Sequence, residues 1–257
     1  MIKVFWQLLR RDLTIFLNGF GGRLFNIGCW LVPNVIVFNQ ILPLLGVQSD
    51  YGIFVLVGAI ATVGLFTSVS GIPTLLTDIT DNQAIYYYLS LPLPQWLVFV
   101  RYAISFSLNA GLIAIGLLPI SKLILGSTMD LSHFSLLKFL IFFPVLQLFF
   151  GFFALALAAG IDNIDQYENA WVRVVFPLWF MGGYQFPWAA MHQQLPWLSY
   201  ITLANPITYA IEGFRAAVLG QMGYLNFWVC LMVLVGFTLV TGYWGVRRFV
   251  KRMDCLG

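Results

Sequence analysis

Charged residues are so widely spaced in this chain that the intervals between them reach membrane length. Arg23 to Asp50 encloses 26 uncharged residues, and Asp50 to Asp78 encloses 27. Asp81 to Arg101 encloses 19, Arg101 to Lys122 encloses 20, and Lys138 to Asp162 encloses 23. Arg173 to Glu212 and Arg215 to Arg247 enclose 38 and 31. A helix that crosses the hydrocarbon of a bilayer needs about 20 apolar residues. The charges therefore read as punctuation between spans, and the chain as an all-α integral membrane protein.

Composition excludes the soluble alternative. Hydrophobic residues make up 60% of the chain and charged residues 9%, against about 25% charge in ordinary soluble domains. Too few polar elements exist to cover so many apolar helices. The stretch 139–157 holds 14 Leu, Ile, Val or Phe residues. At roughly −0.45 kcal/mol each they favour insertion by about 6 kcal/mol, which the single Gln147 does not reverse. A length of 257 residues suits one membrane domain, 1–257, with no separate catalytic domain. Cys29, Cys230 and Cys255 follow no metal or redox spacing and read as free thiols.

Residues 1–22 do not read as a cleavable signal, because Lys3, Arg10, Arg11 and Asp12 interrupt any apolar core. They predict an interfacial amphipathic helix. Ile2, Trp6, Leu9, Leu13, Phe16 and Phe20 share one face, with Lys3, Gln7, Arg10, Arg11, Thr14 and Asn18 opposite. Six transmembrane helices are predicted at about 24–45, 52–76, 95–121, 139–161, 171–186 and 224–246. The short link at 46–50 makes the first two an antiparallel hairpin. Pro187, Trp188, Pro196 and Trp197 break the region 187–223. It predicts short re-entrant helices at the outer face rather than a seventh span.

Six spans place both termini on one side. That side collects ten of the 13 Lys and Arg residues, and the other collects only Lys122, Lys138 and Arg215. The positive-inside rule then makes both termini cytoplasmic. Trp96, Trp171, Trp228, Tyr243 and Trp244 fall near predicted span ends, where aromatic rings favour the headgroup layer.

Few residues are placed to carry chemistry. His133 and His192 lack partners at metal spacing, and Asp162, Asp165 and Glu168 lack the alternation and glycine of a calcium loop, so no metal site is expected. No Gly-Lys pair occurs, so no phosphate-binding loop for ATP exists in this sequence. Three stretches stand out. Asn205-Pro206-Ile207-Thr208-Tyr209-Ala210-Ile211-Glu212-Gly213-Phe214-Arg215 begins with a cap and a first-turn proline. Its Glu212 and Arg215 are three apart and can pair on one helix face. The polar loop from Thr77 to Pro94 carries Asp78, Asp81 and Asn82, then Tyr86, Tyr87 and Tyr88, and ends on prolines. In the second span, Gly58 and Thr62, then Gly64, Ser68 and Gly71, offer small faces for close helix approach.

The Asn-Pro-(x)2-Tyr-(x)4-Phe-Arg run ahead of the last span, with residues Asn205, Pro206, Tyr209, Glu212, Gly213, Phe214 and Arg215, resembles the signature of type-2 permeases of ATP-binding-cassette (ABC) exporters. Such permeases serve nodulation-factor, O-antigen, teichoic-acid and drug export. The resemblance extends to the interfacial helix, the six spans and the polar loop. It implies a bacterial inner-membrane permease that works as a homodimer with two copies of a cytoplasmic ABC ATPase, with ATP and magnesium on that partner and no cofactor or nucleic acid on this chain. It also implies that the polar loop, through Asp78, Asp81, Asn82, Tyr86, Tyr87 and Tyr88, is the coupling element. By the same analogy Thr62, Phe66, Phe176, Trp179, Phe180 and Tyr184 are candidate path residues for an amphiphilic, lipid-linked or drug-like substrate. Two other readings predict different residues. An ion-driven secondary transporter needs mid-span carboxylates, and spans 1 to 6 carry none. A lipid-modifying membrane enzyme needs a cluster of His, Asp or Glu at one face, for which only Glu212 and scattered loop carboxylates are available.

Overall fold

The computed structural model describes residues 2–46, 51–80, 84–125 and 132–254. Asp81 and Asn82 of the predicted coupling loop lie outside these residues, as do Asp50, Asp130 and Cys255. Among the described residues the regular structure is helical throughout. The elements are α1 (Ile2–Asn18), α2 (Phe20–Leu44), α3 (Tyr51–Thr80), α4 (Ala84–Ser90), α5 (Gln95–Leu125), α6 (Leu136–Ala159), α7 (167–181), α8 (Trp188–Gln194), α9 (Pro196–Thr202), α10 (Pro206–Val218) and α11 (Phe227–Asp254). Five of them, α2, α3, α5, α6 and α11, are long and apolar enough to cross a membrane. The predicted fifth span appears as α7, which is only 15 residues long. At 1.5 Å per residue it reaches about 22 Å, short of a hydrocarbon core of about 30 Å.

Prolines shape these helices. A π-helical segment interrupts α2 at Val37–Ile41, and another interrupts α7 at Trp171–Val175. In each case a proline follows closely, Pro43 and Pro177, and a helical proline ring crowds the carbonyl four residues back. Those carbonyls belong to Asn39 and Arg173, both inside the widened segments. The π turn makes room for the ring and absorbs the lost hydrogen bond. The same cause interrupts α3 with a turn at Ser70–Gly71, just ahead of Pro73.

α3 is the centre of the bundle. It packs against α5, α6 and α10, while α11 runs along α6 and α10. Along its most apolar stretch α3 is 83% buried, whereas α2 is only 11% buried. The small residues of α3 explain the close packing. A methyl on Gly64 would meet the Gln147 amide and Phe150 of α6, and one on Gly71 would meet Phe106 of α5. This small-residue face is consumed inside the chain.

Contacts between elements define two ends. At one end Asp12 of α1 pairs with Arg101 of α5, and Phe99 stacks on Phe249 of α11 at 4.9 Å. There too Arg252 donates to the carbonyls of Ile161 and Asp162 at 3.0 and 2.9 Å. The basic tail therefore meets the acidic loop through backbone oxygens, not carboxylates. At the other end Tyr51 donates to the Gln185 carbonyl at 2.9 Å, and Ser135 N–H donates to the Ala217 carbonyl at 3.0 Å.

The amphipathic face of α1 divides in a way its periodicity did not predict. Leu9 and Phe16 are buried, but Ile2 and Trp6 are exposed. Asp12, between Leu9 and Phe16 on the buried side, meets Arg101. Trp96, Trp228, Tyr243 and Trp244 all lie on the surface.

Candidate functional site

α10 begins where the sequence indicates. The Asn205 side chain accepts from the Ile207 N–H at 3.0 Å, with Pro206 in the first turn. The Asn205 amide also donates to the Leu178 carbonyl at 2.6 Å, tying the cap to α7. Every residue of α10 except Tyr209 is buried. Phe214 packs on Phe139 of α6, and Gly213 lies against Phe142 with no room for a methyl.

Glu212 and Arg215 sit together but at 3.9 Å, a loose pairing. Their principal partners are backbone groups. Arg215 donates to the carbonyls of Gly183 and Tyr184, each at 2.7 Å, and to that of Phe54 at 3.2 Å. Its guanidinium also lies 3.5 Å from the Phe54 ring centroid, a cation–π contact. Glu212 accepts from the Trp188 N–H at 3.2 Å and the Leu225 N–H at 3.0 Å. One residue thus binds α10 to the ends of α3 and α7, and the other binds it to α8 and to the segment before α11. Burial pushes the Glu212 carboxyl above its ordinary value, against the pull of the Leu225 N–H, Arg215 and the Trp188 N–H. Burial likewise lowers Arg215, to about 10, with Glu212 opposing, and leaves it cationic at neutral pH.

An apolar cavity of about 570 Å³ opens between α2, α3 and α7. Its wall includes Trp30, Val63, Phe66, Trp171, Phe176 and Trp179. Phe66 stacks on Trp171 at 5.7 Å and meets Trp179 edge-on at 5.2 Å. Of the six predicted path residues, Phe66, Phe176 and Trp179 line this cavity. Thr62, Phe180 and Tyr184 do not. Thr62 is fully buried, donating to the Gly58 or Ala59 carbonyl and accepting from Trp179 Nε1 at 3.3 Å. Tyr184 is buried and donates to Asn34 at 3.2 Å, and Phe180 is exposed on another side. The sequence alone suggests only an interfacial ring for Trp171. Its spacing from Trp179, eight residues or about two turns, was the signal that they share a face.

The predicted coupling residues divide by direction. Tyr86 and Tyr87 are exposed on α4. Tyr88 is buried and faces Arg101, whose guanidinium carbon lies 4.6 Å from its ring centroid. Asp78 turns inward and accepts from the Tyr102 hydroxyl at 2.5 Å. Arg11 donates to the Tyr88 hydroxyl at 2.8 Å and to Asp12 at 2.9 Å. Burial alone would lower its pKa, but these bonds outweigh it and hold Arg11 above its ordinary value. His192 is likewise structural: it stacks on Trp188, and its Nδ1 lies 2.8 Å from the Ser199 hydroxyl, which donates to the Pro196 carbonyl. Among the described residues no group of His, Cys, Asp or Glu is placed to hold a metal.

These features define a multi-pass membrane protein with an aromatic cavity between α2, α3 and α7. Comparison with protein families matches residues 3–219 to the ABC-2 type transporter family, so the chain belongs to that family. No curated protein sequence matches it. Family membership makes this a transport permease subunit of the kind that partners an ABC ATPase.

Proposed function

We propose that this chain is the membrane-spanning half of an ABC exporter in a bacterial inner membrane. Two copies form the path, and each engages a separate cytoplasmic ATPase that carries the ATP and magnesium. The carrying observation is the family match over residues 3–219 on a bundle whose aromatic cavity is lined in part by α2, the least buried of its five candidate spans. A second copy laid against α2 and α7 would close that cavity into a shared path.

In this reading the chain crosses the bilayer six times, with α7 as a short fifth crossing. Residues 187–223 dip into the outer leaflet and return. Support comes from the shared ends: α1, the start of α5, the 161–162 turn and the end of α11 gather on one side, which is the basic and cytoplasmic one. α10 gathers with the starts of α3 and α6 on the other. Its buried charges are held by backbone carbonyls and N–H groups, the arrangement that makes a non-spanning helix tolerable at membrane depth. The exposed Tyr86 and Tyr87 on α4 face the ATPase, and the inward Asp78 and Tyr88 anchor that element to α5. An aromatic path suits an amphiphilic substrate.

The test is reconstitution. Purified from its native membrane, the chain should bring a Walker-motif ATPase with it. In liposomes the pair should move an amphiphile against a gradient only with ATP, and the chain alone should move none. Uphill transport by the chain alone would refute the assignment.

A further inference from the structure

The last turns of α11 divide sharply by side. One side is docked on the bundle. A methyl on Gly242 would lie 3.1 Å from the Phe152 ring, and one on Gly245 would lie 3.0 Å from the Ala156 backbone. Phe249 and Met253 are buried on the same side, and Arg252 is held by the carbonyls of Ile161 and Asp162. The opposite side carries Tyr243 and Trp244, then Arg247 and Arg248, then Lys251, all exposed. These positions recur every four residues and form one stripe along the helix. Docking of the first side fixes the stripe outward.

The two arginines turn back along the helix, toward the span. Arg247 Nη1 donates to the Tyr243 hydroxyl at 2.8 Å. The Arg248 guanidinium carbon lies 5.3 Å from the Trp244 ring centroid, a cation–π contact. Among the described residues no carboxylate pairs with either arginine, so their charge stays uncancelled. Depth agrees. The two rings close the span, and such rings favour the headgroup layer. The arginines follow one turn later, about 6 Å further out at 1.5 Å per residue, and a headgroup layer is itself about 6 Å thick. Leu239 and Val240, one turn deeper on the same stripe, are exposed and apolar. A soluble protein cannot follow the stripe into the hydrocarbon, whereas a lipid matches it along its whole length.

We propose that this face of α11 binds an anionic phospholipid of the surrounding bilayer. Its headgroup lies against Arg247, Arg248 and Lys251, and its acyl chains run along Leu239 and Val240. The selecting property is net charge, because zwitterionic phospholipids carry the same phosphate with a cation beside it. The site stands on α11 as a membrane span and does not depend on the transport assignment.

The test is photolabelling of the full chain, in liposomes and in native membrane vesicles, with the labelled segments mapped by mass spectrometry. The probes are phosphatidylglycerol and phosphatidylcholine carrying the same diazirine near the headgroup; the first is anionic and the second neutral overall. At equal doping, segment 239–251 should take at least about tenfold more label from phosphatidylglycerol, as three basic groups at a membrane surface imply. Replacing all three, Arg247→Gln with Arg248→Gln and Lys251→Gln, should bring that preference to about twofold or less. Labelling near the exposed Lys3 and Arg10 of α1 should stay as it was, and so should the thermal unfolding midpoint. The two-lipid comparison on the native chain decides the question even if the triple variant fails to insert. Equal labelling of the segment by both lipids, or a preference that survives the triple substitution, would overturn the proposal. A preference seen in liposomes and lost in native vesicles would assign the face to a protein partner and overturn it as well.

Discussion

Gly58→Ala should be costly even though alanine is the better helix former. The substitution sits in the middle of α3, where Gly→Ala ordinarily stabilises by about 1 kcal/mol. Here the added methyl would lie 2.3 Å from Arg215 Nη2 and 3.3 Å from the Tyr184 carbonyl oxygen. Restoring a contact of about 3.5 Å moves the guanidinium by about 1.2 Å. That breaks the bond from Nη2 to Tyr184 and strains the one from Nη1 to Gly183, both now 2.7 Å. Each buried charged hydrogen bond contributes about 1.5–3 kcal/mol. After the helix gain is subtracted, the net loss should be about 2–4 kcal/mol. Denaturant unfolding in detergent micelles, followed by tryptophan fluorescence, measures it. The decisive comparison is a double-mutant cycle with Arg215→Met. In that background the methyl meets no guanidinium, so Gly58→Ala should cost no more than about 0.5 kcal/mol. A neutral Gly58→Ala in the native background, or the same cost in both, would refute the reasoning.

Asn205→Ala removes the cap on Ile207 and the bond to Leu178, and it should lower stability by about 1–3 kcal/mol in the same assay. Tyr87→Arg on exposed α4 should leave the unfolding midpoint unchanged while abolishing transport-coupled ATP hydrolysis by the partner; an unaffected coupling ratio would exclude α4 from docking. Glu212 also makes stability depend on pH. Its raised pKa means that the folded chain holds a proton the unfolded chain releases, so its contribution is full below about pH 4.3 and declines as pH rises toward the folded value. An unfolding series across this range should show that decline, and Glu212→Gln should flatten it.

The long helices were legible because hydrophobic length is a local property. The predicted 52–76 and 139–161 appear as Tyr51–Thr80 and Leu136–Ala159. Their ends moved because charge does not stop a helix at the interface. Asp78 continues α3, and Arg247, Arg248, Lys251 and Arg252 all lie within α11. The cap at Asn205 was legible for the same local reason. Arg101 was not. Its sequence neighbours identify it as punctuation, yet it is buried in α5 and bonded to a carboxylate 89 residues away. No periodicity carries information about a pairing of that separation. The Glu212 and Arg215 reading fell between these cases. Their mutual spacing was visible, but the carbonyls of Phe54, Gly183 and Tyr184 that hold Arg215 depend on how three helices meet.

The thin packing of α2 bears on how the molecule loosens. Opening free energy follows buried contact, so elements with little of it exchange their amide protons first. α2 touches its neighbours along one narrow strip and contains a widened turn, whereas α3 is enclosed on nearly every side. In the detergent-solubilised single chain, deuterium should therefore enter α2 before it reaches α3, marking the first span as the part of the fold that parts from the rest at least expense.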